Sequence, residues 1–136
     1  MAMEIKKLTI PTIKHVVILM TLMLAMLVQV KSVLAHATLV KSEPPRRATL
    51  FEAPKQVQLW FNEEIEGSYA LITVLDSDKK PITDEKPKAV PDDLKSVVLA
   101  IPEVEPGNYT VEYRVLSTDG HVVESSYNFR IKDTMQ

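Results

Sequence analysis

Beyond residue 55, apolar and polar positions alternate with a period of two almost throughout, the pattern of half-buried β-strands. Val57, Leu59 and Phe61 alternate with Gln56, Gln58 and Trp60. Tyr109, Val111, Tyr113 and Val115 alternate with Thr110, Glu112 and Arg114, and Tyr127, Phe129 and Ile131 with Asn128 and Arg130. Tyr69–Leu75 and Ser96–Ile101 are nearly continuous apolar runs, and the first has the composition of a central strand. A short first strand is expected over Thr38–Lys41. Pro44-Pro45, Pro81, Pro87, Pro91 and Pro106-Gly107 fall between these runs, where a missing N–H does least harm. The polar, proline-bearing segment Asp76–Leu94 reads as a long loop with room for one short strand. Short strands with turn signals between them predict an all-β domain, either a β-sandwich or a small barrel.

The last two strands allow a test of register. A two-residue hairpin centred on Asp119-Gly120 would set Tyr113 against Ser126 and Val111 against Asn128, placing core opposite polar groups. An odd-numbered loop of three or five residues centred on Gly120 removes the conflict. It sets Tyr113 against Tyr127, Val111 against Phe129 and Tyr109 against Ile131.

The first 35 residues follow another pattern. Lys6, Lys7 and Lys14 precede Val16–Val30, an apolar run broken only by Thr21 and Gln29, and KSVLA follows. A basic start, a short apolar stretch and small residues before a cut are the parts of a secretory signal peptide. As a helix the run is about 22 Å long, short of the ~30 Å core of a bilayer, which argues against an uncleaved anchor. Residues 1–35 are therefore expected to be a signal peptide cleaved after Ala35. Residues 36–136 then form one β domain that begins HATLV.

Composition narrows the class. The chain has no cysteine, which excludes disulfides, thiolate zinc sites and iron–sulfur clusters. Loss of Lys6, Lys7, Lys14, Lys31 and Glu4 takes the 16 basic and 18 acidic residues to 12 and 17, a formal charge of −5. No basic stripe survives, so nucleic acid is not an expected partner. Catalytic serine motifs and glycine-rich phosphate loops are absent from the sequence, which has three glycines in all.

The chemistry that remains is metal binding. Cleavage makes His36 the first residue, and its α-amine and imidazole Nδ1 can then close a chelate ring on one ion. A terminal amine (pKa about 7.7–8.0) and an imidazole (about 6.5) both lose their protons at modest cost near neutral pH. Asp119 and His121 flank Gly120 and can point the same way. Three nitrogens and a carboxylate oxygen suit tetragonal Cu(II). On the residues alone, a terminal His also reads as an accident of the cut, Asp119-Gly120 as only a turn, and a lone surface His in a turn is usually just solvated. Glu63 continues the parity of Val57, Leu59 and Phe61. It either leaves the core for water or serves a site at the sandwich rim.

From His36 to Lys132 the chain resembles the CopC family of periplasmic copper-resistance proteins. The matching stretches are HATLVKSEPP, AP followed by VQLWFNEEI, PGNYTVEYRVLSTDGH and the closing SYNFRI. The resemblance implies an immunoglobulin-like Greek-key sandwich or barrel of about seven strands. It also implies a Cu(II) site built from His36, Asp119 and His121, with Glu63, in FNE, in support. The chain departs from the family after the Asp-Gly-His turn, where His121-Val122-Val123-Glu124 replaces the usual proline and small residues. Arg46-Arg47 likewise replaces small residues after the prolines. The loop Asp76–Leu94 lacks the methionines with which some members bind Cu(I).

The expected function is a monomeric periplasmic carrier or buffer of Cu(II) without catalytic turnover, with a membrane importer as a candidate acceptor. Two alternatives differ in class. One is a copper monooxygenase-like enzyme with a histidine brace, and the other a structural sandwich in which His36 and His121 never meet.

Overall fold

The computed structural model describes residues 12–27 and 36–134. The chain divides into two compact units, Met1–Leu34 and Ala35–Gln136. In the first, helix α1 spans Ile13–Leu27. Among the described residues no helix is long and apolar enough to cross a membrane. The expected cut after Ala35 lies outside the described residues.

The second unit is all-β. In chain order its strands are β1 (Leu39–Glu43), β2 (Thr49–Leu50), β3 (Gln56–Phe61), β4 (Leu71–Leu75), β5 (Lys88–Val90), β6 (Asp93–Ala100), β7 (Gly107–Leu116) and β8 (Val122–Ile131). They form two four-stranded sheets, ordered β1-β3-β6-β5 and β2-β8-β7-β4. This is the Greek-key sandwich that the family resemblance implies, with eight strands rather than about seven, of which β2 and β5 are only two and three residues long. The inward rows meet between the sheets. Val57, Leu59, Val97, Leu99, Val111 and Val115 are wholly buried, and Phe61, Phe129 and Val74 nearly so. Every buried apolar side chain described belongs to this unit, which therefore carries its own core.

Three sequence expectations need correction. Tyr69–Leu75 is not a central strand: β4 lies at the edge of its sheet and pairs along its length with β7. Its start is also later, because Tyr69 closes a 3-10 turn over Gly67–Tyr69 by donating to the Glu66 carbonyl at 2.9 Å. The apolar run reflects one buried row, Ile72 and Val74, beside exposed Tyr69 and Leu71.

The first strand runs Leu39–Glu43 instead of Thr38–Lys41. A bulge at Val40 carries the pairing from Leu39–Phe61 to Lys41–Trp60. Ser42 thereby faces the core, and the Lys41 ammonium sits 4.2 Å from the Trp60 ring centroid.

The β7–β8 register is displaced by two residues from the expected one. Tyr109 faces Phe129, Val111 faces Tyr127, and Tyr113 faces Ser125. A shift of two preserves which face each side chain occupies, so the core rows stand as predicted. The centre of the connecting loop moves from Gly120 to Asp119.

Candidate metal centre

The β7–β8 turn is held by its own backbone. The Ser117 N–H donates to the His121 carbonyl at 2.9 Å, and the Gly120 N–H donates to the Ser117 carbonyl at 2.9 Å. Gly120 sits at φ 90°, where a side chain is strained. This five-residue loop, Ser117 to His121, orients the two residues around the glycine. Asp119 Oδ1 accepts from the His121 main-chain N–H at 3.0 Å and lies 3.0 Å from His121 Nδ1. The Asp119 carboxyl is held below its ordinary value, chiefly by that backbone hydrogen bond; desolvation opposes it, and the His121 ring and the Ser117 hydroxyl lower it further. It is thus a carboxylate at neutral pH. With Nδ1 turned to Asp119, Nε2 is the His121 nitrogen left for another partner.

His36 arrives from the other sheet. Its ring stacks on that of His121, with centroids 4.9 Å apart and planes 25° from parallel. Its arm is anchored two residues later. The Thr38 N–H donates to Asn62 Oδ1 at 2.6 Å, and the Asn62 N–H donates to the Thr38 carbonyl at 3.0 Å. Between them Ala37 is buried.

Glu63 lies next to that anchor. Its Oε1 is buried without a hydrogen-bond partner, which is costly for a carboxylate unless something else satisfies it. The following residue reaches the β7–β8 hairpin, since the Thr118 N–H donates to the Glu64 carbonyl at 3.3 Å.

The fold therefore brings His36, Asp119 and His121 to one end of the sandwich. As the side chains stand, no three described His, Asp or Glu residues converge closely enough to hold an ion. The two rings meet face to face, and Asp119 is engaged with His121. Asn62 is the residue that reading the sequence missed. Its signal was slight: an Asn at a strand end, where a short amide can replace a ladder partner.

A small two-sheet sandwich with paired imidazoles and a carboxylate at one end is a fold with metal-type donors. The sequence model of the CopC domain matches residues 39–132. The chain belongs to the CopC family. It is 30% identical over 102 residues to Protein YobA of Escherichia coli strain K12, covering 74% of this chain and 82% of that one. Copper resistance protein C of Escherichia coli is 31% identical over 108 residues, covering 74% and 85% respectively. Among solved structures, CopC from Methylosinus trichosporium OB3b superposes with a TM-score of 0.70 at 36% identity, covering 74% of this chain and 98% of that one.

Proposed function

We propose that the segment from His36 onward is a periplasmic copper-binding protein, released by cleavage after Ala35, that carries or buffers Cu(II). The observation that carries this reading is the contact between the His36 and His121 rings. Two imidazoles distant in sequence but adjacent in space, one of them on the residue that cleavage would free, form a nitrogen-rich donor set suited to Cu(II). Membership of a family that includes a protein named copper resistance protein C supports the same cargo.

Copper is cargo here, and the protein's task is to present donors. In the uncut chain the His36 nitrogen is a peptide amide, a poor donor that must lose a tightly held proton. Cleavage converts it into a basic amine beside its own imidazole. His121 offers Nε2, while Asp119 supplies negative charge and fixes the His121 ring. Glu63, with an unsatisfied buried oxygen, supports the same site. We read the protein as a binding module rather than an enzyme, passing its ion to an acceptor such as a membrane importer.

The test is competitive Cu(II) titration of the protein beginning at His36 against a form extended by one alanine. The extended form should bind more weakly, by more than the ~10–100-fold that follows loss of a ligand's hydrogen-bond partner. Equal affinities would reject the amine as a ligand and, with it, this mechanism.

A further inference from the structure

The segment Asn62–Glu66 leaves the first sheet at the end of β3 and crosses to the second. Along the way it makes hydrogen bonds to both halves of the proposed site. Asn62 holds Thr38, two residues after His36, through the two bonds given above. The Glu64 carbonyl accepts from Thr118, Ile65 bridges to Ser117, and the Glu66 N–H donates to the Leu116 carbonyl at 2.8 Å. The His36 arm and the His121 hairpin thus hang from one crossing segment.

At Asn62 the anchoring depends on the side chain. Leu39 pairs with Phe61, so Thr38 and Asn62 are the next opposed residues. In an antiparallel sheet such a pair can exchange two main-chain N–H···O bonds. Here the main chain supplies only one. The Asn62 carbonyl is turned to the Lys95 ammonium, which donates to it at 3.4 Å, because the backbone is already leaving the sheet. The Asn62 amide oxygen fills the missing place and accepts the Thr38 N–H at 2.6 Å. Thr38 Oγ1 in turn donates to the His36 carbonyl at 3.2 Å. The Ala37 methyl is buried, with no polar atom to hold it.

We propose that Asn62 is a positioning residue for metal binding: its side-chain oxygen continues the sheet by one residue and so delivers His36 onto His121. This rests on the copper reading above. Without the Asn62 oxygen Thr38 keeps only the main-chain bond from the Asn62 N–H to its carbonyl, and the loosened N-terminal arm must be ordered anew each time an ion binds.

The experiment uses the self-cored domain beginning at His36, unmutated and as Asn62→Ala and Asn62→Asp. The first readout is hydrogen exchange of the Thr38 amide in metal-free protein. The second is Cu(II) affinity by competition, with the electron paramagnetic resonance spectrum of the bound ion. Asn62→Ala should speed Thr38 exchange and weaken Cu(II) binding, each by about tenfold, as expected for one lost hydrogen bond and a newly disordered arm. Its copper spectrum should split into more than one species. Asn62→Asp keeps the acceptor oxygen and should restore slow exchange. Asn62 is exposed, so the urea midpoint should move little. Unchanged Thr38 exchange in Asn62→Ala would overturn the proposal, as would faster exchange with unaltered affinity and spectrum. The exchange measurement contains no metal, so failure of the copper reading leaves it intact and the two failures are distinguishable.

Discussion

The His36 and His121 rings lie face to face, 4.9 Å between centroids. Nitrogen lone pairs lie in the plane of an imidazole, so stacked rings aim theirs at no common point. To hold one ion together, one ring must turn. His121 is restrained by Asp119, which lies 3.0 Å from its Nδ1, so the movement falls to His36.

This assigns unequal roles and gives the first prediction. His121→Ala deletes an imidazole that the turn has already oriented, while Glu63→Ala deletes a supporting carboxylate. In competitive Cu(II) titration His121→Ala should lose more affinity than Glu63→Ala, whose cost should be of order 10–100-fold. Zn(II) should bind the unmutated site less tightly than Cu(II). A larger loss from Glu63→Ala would reverse the assignment.

The second prediction concerns the turn itself. Gly120 adopts φ 90°, and a β-carbon built there meets nothing within 4 Å. The cost of Gly120→Ala is therefore backbone strain alone, about 1–2 kcal/mol. Urea unfolding should show that loss, and the copper affinity should fall with it as Asp119 and His121 lose their shared orientation. Unchanged stability would mean that the turn relaxes to negative φ without penalty.

How much of this could be read beforehand follows from what each signal encodes. Period-two rows record which side chains face inward, so Val57, Leu59, Phe61, Val111 and Phe129 were all legible as core, and the sandwich with them. The same rows do not change when a strand slides by two, so they fit Tyr113 against Tyr127 as well as against Ser125, which it faces. An apolar run does not record how many neighbours a strand has, so the composition of a central strand occurs here in β4, at a sheet edge. The bulge at Val40 and the Asn62–Thr38 bond depend on where the backbone bends, which no residue pattern states. At the site, the residue types of His36, Asp119 and His121 were visible in the sequence, but not their face-to-face packing nor the hydrogen bonds that hold the hairpin.

Packing beside the crossing segment gives the third prediction. A β-carbon on Gly67 would lie 2.6 Å from the Ala89 β-carbon, closer than side chains approach. Gly67→Ala should force the 3-10 turn away from β5 and cost about 1–3 kcal/mol in urea unfolding. Ala89→Gly removes the other half of the clash, so the double variant should recover part of the loss. Strict additivity of the two changes would show that they do not meet.

The fourth prediction is an alkaline one and rests on Tyr127. Its side chain is buried, its hydroxyl has no hydrogen-bond partner, and its pKa is pushed up to about 12. Burial is the main cause, and Tyr113 adds to it. The Ser42 hydroxyl and Arg46 oppose the shift, Ser42 from outside ordinary hydrogen-bond geometry. An unfolded tyrosine ionises near 10. Between about 10 and 12 the folded protein keeps a proton that the unfolded chain has released. Stability from this group is thus fully present below about pH 10 and falls as pH rises through the folded value. Tyr127→Phe removes a hydroxyl that has no partner, so near pH 8 it should be neutral or slightly stabilising. Above about pH 10 the unmutated protein should lose urea stability faster than Tyr127→Phe. Taking the difference between the two cancels the contribution of Tyr109, whose phenol burial also raises. Parallel stability curves from about pH 8 to 11.5 would show that Tyr127 ionises as freely in the folded protein as in the unfolded chain.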